Sequence, residues 1–140
     1  PLGFIVVVKR KLGRLAGFGG DQGWCVGYEP EKIEKAQGAY NTGHLAVAVI
    51  EVQKPSEKIP AIEQTYSAGA ACLALLNAAL ASGWGANWIS GWPSHDRGFV
   101  ESGFGLAENE RVAGIIYLGT ERAAPPERPR PNLDDIVSWE

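Results

Sequence analysis

Four stretches of the chain show continuous or β-branched apolar character, and they predict the strands. Leu2 to Val8, with Pro1 at its head, is an apolar run closed by Lys9, and it reads as a buried strand rather than a signal segment. Leu45 to Val52 is a second buried strand and Val112 to Gly119 a third, while Trp88-Ile89-Ser90 reads as a short fourth. Ala61 to Ser82 is different: it is apolar nearly all round, and Gly83 follows at the position that closes helices. The pattern predicts one helix about 33 Å long, buried on most sides. Ser67, Gly69 and Asn77 interrupt it, so no unbroken apolar stretch reaches the roughly 18 residues of a membrane span. Its small side chains would let another helix approach closely, as across a subunit interface.

The remaining segments are polar or glycine-rich. Pro30 to Ala36 predicts a short helix with proline in its first turn. Ser94 is expected to cap a helix of about two turns over His95 to Ser102. From Lys11 to Tyr28 the glycines at 13, 17, 19, 20, 23 and 27 would each weaken a helix by about 1 kcal/mol. One short turn near Leu12 to Ala16, then a loop, is expected there. Ala124 to Pro131 must be extended, and the apolar residues of Leu133 to Trp139 suggest that the tail over 121–140 docks somewhere. Strands separated by helical segments indicate an α/β or α+β arrangement around one mixed sheet.

Composition narrows the partners. A net charge of −3, with the basic residues spread along the chain, argues against nucleic acid. Cys25 and Cys72 are the only cysteines; they make no metal-type spacing and no disulfide framework, which favours a reducing compartment and a cytoplasmic setting.

Common catalytic signatures are missing. There is no Gly-x-Ser-x-Gly elbow, no His-Glu-x-x-His and no phosphate-binding P-loop. The glycines from Gly17 to Gly23 have the wrong spacing for a dinucleotide fingerprint. His44 and His95 lack an evident nucleophile partner. The most informative stretch runs from Gly83 to Pro93, where Trp84, Trp88 and Trp92 are separated by glycines. Such glycines allow backbone N–H groups close to a planar ligand and the indoles could wall its pocket, although a structural turn fits the same composition.

Several segments in order resemble the nitroreductase family, in its short single-domain branch. They are Glu63-Gln64-x-x-Ser67-Ala68-Gly69-Ala70-Ala71, Gly83-x-Gly85-Ala86-x-Trp88-x-x-Gly91, and Asp96-Arg97-x-Phe99-Val100. Phe104-Gly105-Leu106-x-Glu108-x-Glu110-Arg111, Gly114-x-x-Tyr117-Leu118-Gly119-Thr120 and the tail from Pro125 to Val137 complete the set. The resemblance implies an α+β sandwich, a mixed sheet flanked by helices, with the long helix at the core of a homodimer. It implies FMN as cofactor, NAD(P)H as electron donor, and a nitroaromatic, quinone or similar small molecule as acceptor. In the family, backbone contacts to the flavin ring fall on the segment matching Trp88, Ile89 and Ser90. A basic tail residue that can reach the FMN phosphate is matched by Arg128 or Arg130.

Two departures accompany the resemblance. The family's leading helix with an Arg-Arg-Ser motif has no counterpart here, so residues 1–140 read as one N-terminally incomplete domain with an extended tail. Asn41-Thr42-Gly43 replaces an Arg-Ala-Pro before the second strand. The alternative expectation is a reduced or truncated relative that acts as a non-catalytic flavin-binding or structural dimer.

Overall fold

A computed structural model of the chain describes residues 2–140, so Pro1, expected at the head of the first strand, lies outside the described residues. The elements run β1 (Leu2–Val8), α1 (Lys9–Val26), α2 (Pro30–Thr42), β2 (Leu45–Val52), α3 (Ala61–Ala81), β3 (Gly85–Ile89), α4 (Trp92–His95), α5 (Arg97–Phe104), β4 (Glu110–Gly119) and α6 (Leu133–Ile136). The four strands form one sheet in the order β1-β2-β4-β3.

Every neighbouring pair in that sheet is antiparallel, where a mixed sheet was expected. The connections explain it. Two helices between β1 and β2 return the chain alongside itself, so these neighbours run in opposite senses. The single helix α3 does carry β2 over to a strand of the same sense, but β4 inserts between β2 and β3 and separates them. β4 carries one extra residue, Ala113, because Val49 faces Gly114 while Ile50 faces Val112.

The two faces of the sheet are covered differently. On one face Val7, Ala46, Ala48, Ile50, Val112 and Ile115 pack with Leu12, Leu15 and Ala16 of α1, Tyr40 of α2 and Phe99 of α5. On the other, Val49 and Ile116 pack on Cys72 of α3, with Ala71, Leu75 and Leu76 partly covered. Only Gln64, Ala68 and Cys72 of α3 are buried, while Ile62, Tyr66, Leu73 and Leu80 are exposed. β1 continues this uncovered apolar surface: Phe4 faces Val49 in register, yet Phe4 and Val6 are 57% and 65% exposed beyond the reach of α3.

The glycine-rich segment is the largest departure from expectation. Instead of one turn and a loop, Lys9–Val26 is a five-turn helix ended by Gly27 in the left-handed conformation. Its glycines are contact points. A Cβ on Gly23 would lie 2.6 Å from Ile33 Cγ1, one on Gly20 would collide with Gln37, and Gly19 faces Phe99. Helix propensity loses to close packing of α2 and α5 on α1, and periodicity alone carries no sign of that packing.

Other boundaries move less. α2 extends to Thr42 and β3 starts at Gly85 and ends before Ser90. The helix expected from a Ser94 cap begins instead at Arg97, with Asp96 Oδ1 accepting the Phe99 N–H at 2.7 Å. Pro93 sets a separate short turn, α4, so Ser94 is inside that turn and buried. The tail does not dock on its own chain. Residues 121–140 are exposed throughout, and Trp139 is 93% exposed. Its helical turn α6 is held locally, by Asn132 accepting the Asp134 N–H. Among the described residues no helix is long and apolar enough to cross a membrane.

Candidate active site

Trp88 and Ile89 lie at the end of β3, opposite Ile116 and Ile115 of β4, and Ser90 is the exposed residue that follows. β3 is an edge strand, so its outer row of backbone N–H and C=O groups faces away from the sheet, with no strand beside it among the described residues. The Trp88 indole lies across Gly114, where a Cβ would collide with the ring. Gly114 therefore sets how flat the indole can lie on the sheet. Gly85, at the other end of β3, has the Gly119 carbonyl and the Glu121 backbone each 3.2 Å from its would-be Cβ. That crowding brings the start of the tail against the head of the same strand.

Arg128 and Arg130 are on the exposed tail. Arg130 pairs with Glu127 at 2.8 Å, both side chains largely solvated. Within one chain the tail's hydrogen bonds are local, so no bond links these arginines to the Trp88–Ser90 segment among the described residues.

Sequence reasoning missed a polar cluster at the first residues of β4, the end toward which β3 runs. The Glu51 carboxylate is buried and accepts hydrogen bonds from Thr65 Oγ1 at 2.6 Å and from Gln53 Nε2, and Arg111 Nη2 lies 3.0 Å away. Burial pushes this carboxyl upward, but the hydrogen bonds from Thr65 and Gln53 and the Arg111 charge outweigh it and hold it below the ordinary carboxylate range. The one usable signal was a lone charge inside the apolar run Leu45–Val52. Glu51 and Arg111 line a cleft of about 470 Å³, together with Thr65, Ser94, His95 and Arg97. Arg97 is bound up structurally: it pairs with Glu101 at 2.7 Å and donates to the carbonyls of Leu106, Ala107 and Glu110.

Tyr40 of α2 is buried, and Tyr117 of β4 packs partly buried against the same core. Burial pushes Tyr117 up to about 12, and it raises Tyr40 further, with Tyr117 adding to the rise and Ser94 offsetting part of it. Neither serves as a base near neutral pH.

Comparison with known proteins supplies the frame for this geometry. The model of the nitroreductase family matches residues 25–120. The Escherichia coli (strain K12) protein named "Putative NAD(P)H nitroreductase YdjA" is 35% identical over 96 residues, which are 69% of this chain and 52% of that protein. The chain thus spans about half the length of the curated relatives it matches. A nitroreductase-like family protein from Bacillus cereus superposes with a TM-score of 0.77 at 18% identity, over 99% of this chain and 73% of the other. A Desulfovibrio desulfuricans structure, described as a "putative nitroreductase in complex with fmn", does so with a TM-score of 0.73 at 15% identity, over 100% and 73%. The sandwich of helices on a four-stranded sheet and the match over residues 25–120 together make the chain a member of the nitroreductase family.

Proposed function

We propose that the chain is an FMN-dependent oxidoreductase that passes electrons from NAD(P)H through the flavin to a nitroaromatic, quinone or similar small acceptor, as a homodimer. The observation that carries this reading is the open outer edge of β3 at Trp88 and Ile89, continuing into the exposed Ser90. Backbone N–H groups on such an edge are fixed donors, suited to a ring that gathers negative charge on reduction. The donor set therefore fits a flavin ring, and the Trp88 indole offers an apolar wall beside it. Bound FMN would supply the redox chemistry. The protein's own share is to orient the ring against β3 and to exclude water with Trp88. Arg128 or Arg130 would meet the phosphate in the bidentate manner that guanidinium allows.

The relatives support the same assignment, since YdjA is named for NAD(P)H-dependent nitro reduction and the Desulfovibrio structure for its FMN. The apolar surface of α3 and β1 supports a second copy as partner, because a single chain leaves Ile62, Tyr66, Leu73, Phe4 and Val6 in water. Docking on that partner would also occupy the apolar residues of the tail, Leu133, Ile136 and Trp139. The free thiols of Cys25 and Cys72 fit a reducing, cytoplasmic setting.

The test is a visible absorbance spectrum of the purified protein after FMN is added and the excess removed by desalting. Retained flavin that bleaches on anaerobic addition of NADH or NADPH is the expected result. A protein that keeps no flavin overturns the reading and leaves the non-catalytic dimer.

A further inference from the structure

The segment that offers its backbone to the flavin is short of anchors of its own. Ile89 is the last residue of β3 paired with β4, Ser90 is exposed, and Gly91 has no side chain. The next residue, Trp92, is held from several directions. Its ring centroid lies 4.7 Å from that of Tyr28 and 6.3 Å from that of Phe99. Its Nε1–H donates to the Lys32 carbonyl at 3.3 Å, sixty residues away in sequence. Lys32 Nζ in turn lies 5.8 Å over the Tyr28 ring. Gly23 of α1 lies beside the indole, its would-be Cβ in van der Waals contact with Cζ2 at 3.4 Å.

Backbone bonds pass this anchorage to the segment before it. The Gly91 carbonyl accepts the Ser94 N–H and the Trp92 carbonyl accepts the Asp96 N–H, each at 3.0 Å. Asp96 then caps α5, whose Phe99 is fully buried. Ser90 and Gly91 are therefore strung between two fixed points, the Ile89–Ile115 pair in the sheet and the Trp92 indole wedged between α1 and α2.

We infer that Trp92 is a positioning residue for the flavin: by locking α4 to the α1–α2 hairpin, it sets the direction of the Ser90 and Gly91 backbone N–H groups. The inference rests on the flavin reading for its purpose, but its mechanical part concerns this chain alone.

The test uses Trp92→Leu, which stays apolar but loses the ring contacts and the N–H, beside Trp92→Phe, which keeps an aromatic ring and loses only the N–H and part of the bulk. In the flavin-free protein, the amide order parameters of Ser90 and Gly91 are expected near about 0.85 in wild type and Trp92→Phe, and below about 0.6 in Trp92→Leu. Amides of β1 and β2 should not change. Where wild type binds FMN, Trp92→Leu should raise the dissociation constant by about tenfold and shift the flavin midpoint potential, with Trp92→Phe close to wild type. Rigid Ser90 and Gly91 amides in Trp92→Leu would overturn the inference, as would mobile ones in wild type or a loosening spread equally over β1 and β2. A wild type that holds no FMN sinks the flavin reading instead, and the order parameters still decide whether Trp92 sets the loop.

Discussion

The Glu51 carboxylate and the Arg111 guanidinium meet at 3.0 Å across β2 and β4, one side chain 5% exposed and the other 59%. The acid is thus shut in while its cation remains half in water. Thr65, donating from α3 to the same carboxylate, ties the first turns of the long helix to the sheet.

Arg111→Ala should therefore destabilise the protein by about 1–2 kcal/mol at neutral pH, less than breaking a wholly buried pair because Arg111 is already solvated. Glu51 has a lowered pKa in the folded state, so its stabilisation is present above the unfolded carboxyl value of about 4.3. It is lost as pH falls through the folded value. The gap between wild type and Arg111→Ala, followed by urea unfolding, should accordingly be full at pH 7 and close in acid. A gap that is constant with pH would show that Arg111 acts by packing alone.

Two glycines of one helix should respond to alanine with opposite signs. At Gly17 a Cβ meets nothing within 4 Å, so Gly17→Ala should stabilise α1 by about 0.5–1 kcal/mol. At Gly23 the same Cβ lies 2.6 Å from Ile33 Cγ1, and overpacking of about 1–3 kcal/mol exceeds the propensity gain. Thermal unfolding of the two variants decides the point, and equal shifts in one direction would refute the packing account of α1.

Gly114→Ala should lift the Trp88 indole from the sheet, because the new methyl would occupy the ring's place. A change in tryptophan emission and a loss of about fivefold or more in FMN affinity are expected, the size of one or two lost contacts. In a Trp88→Ala background the same change should be nearly silent. An unaltered spectrum and affinity in the single variant would mean that the ring finds another seat at no cost.

Arg128→Ala and Arg130→Ala should each weaken FMN binding if the tail closes over the phosphate, with about 1.5–3 kcal/mol for a lost charge-assisted contact. The Arg130–Glu127 pair is exposed and contributes little to folding, so Tm should barely move. Unchanged FMN titrations in both variants would remove the tail from the site.

The legible parts of the fold were those written in local patterns. Leu2–Val8, Leu45–Val52 and the helix closed by Gly83 form where their patterns predict, but only Leu45–Val52 is buried as expected. Within one chain only Val7 of β1 is buried, and α3 buries Gln64, Ala68 and Cys72 rather than most of its sides. What escaped was set by distant partners. The helix α1 forms because Ile33, Gln37 and Phe99 pack against its glycines, and Glu51 is tolerated in a core strand because Arg111 and Thr65 reach it. The antiparallel order likewise depends on β4 inserting between β2 and β3, a choice that no single segment encodes. For the site, Trp88, Ile89 and Ser90 stand out by composition and by family likeness. The role of Trp92 becomes visible only once Tyr28 and Lys32 are beside it.

The strand order also bears on how the chain assembles. Among the described residues β3 has one partner, β4, and β4 follows it in the chain. β1 and β2 can pair while the ribosome is still at work, but Trp88 and Ile89 have nothing to hydrogen-bond across until residues 115 and 116 have emerged. Completion of the β3 edge thus waits on β4. Pulse-labelled refolding should show β3 and β4 amides gaining protection together, and protection of β3 ahead of β4 would contradict that order.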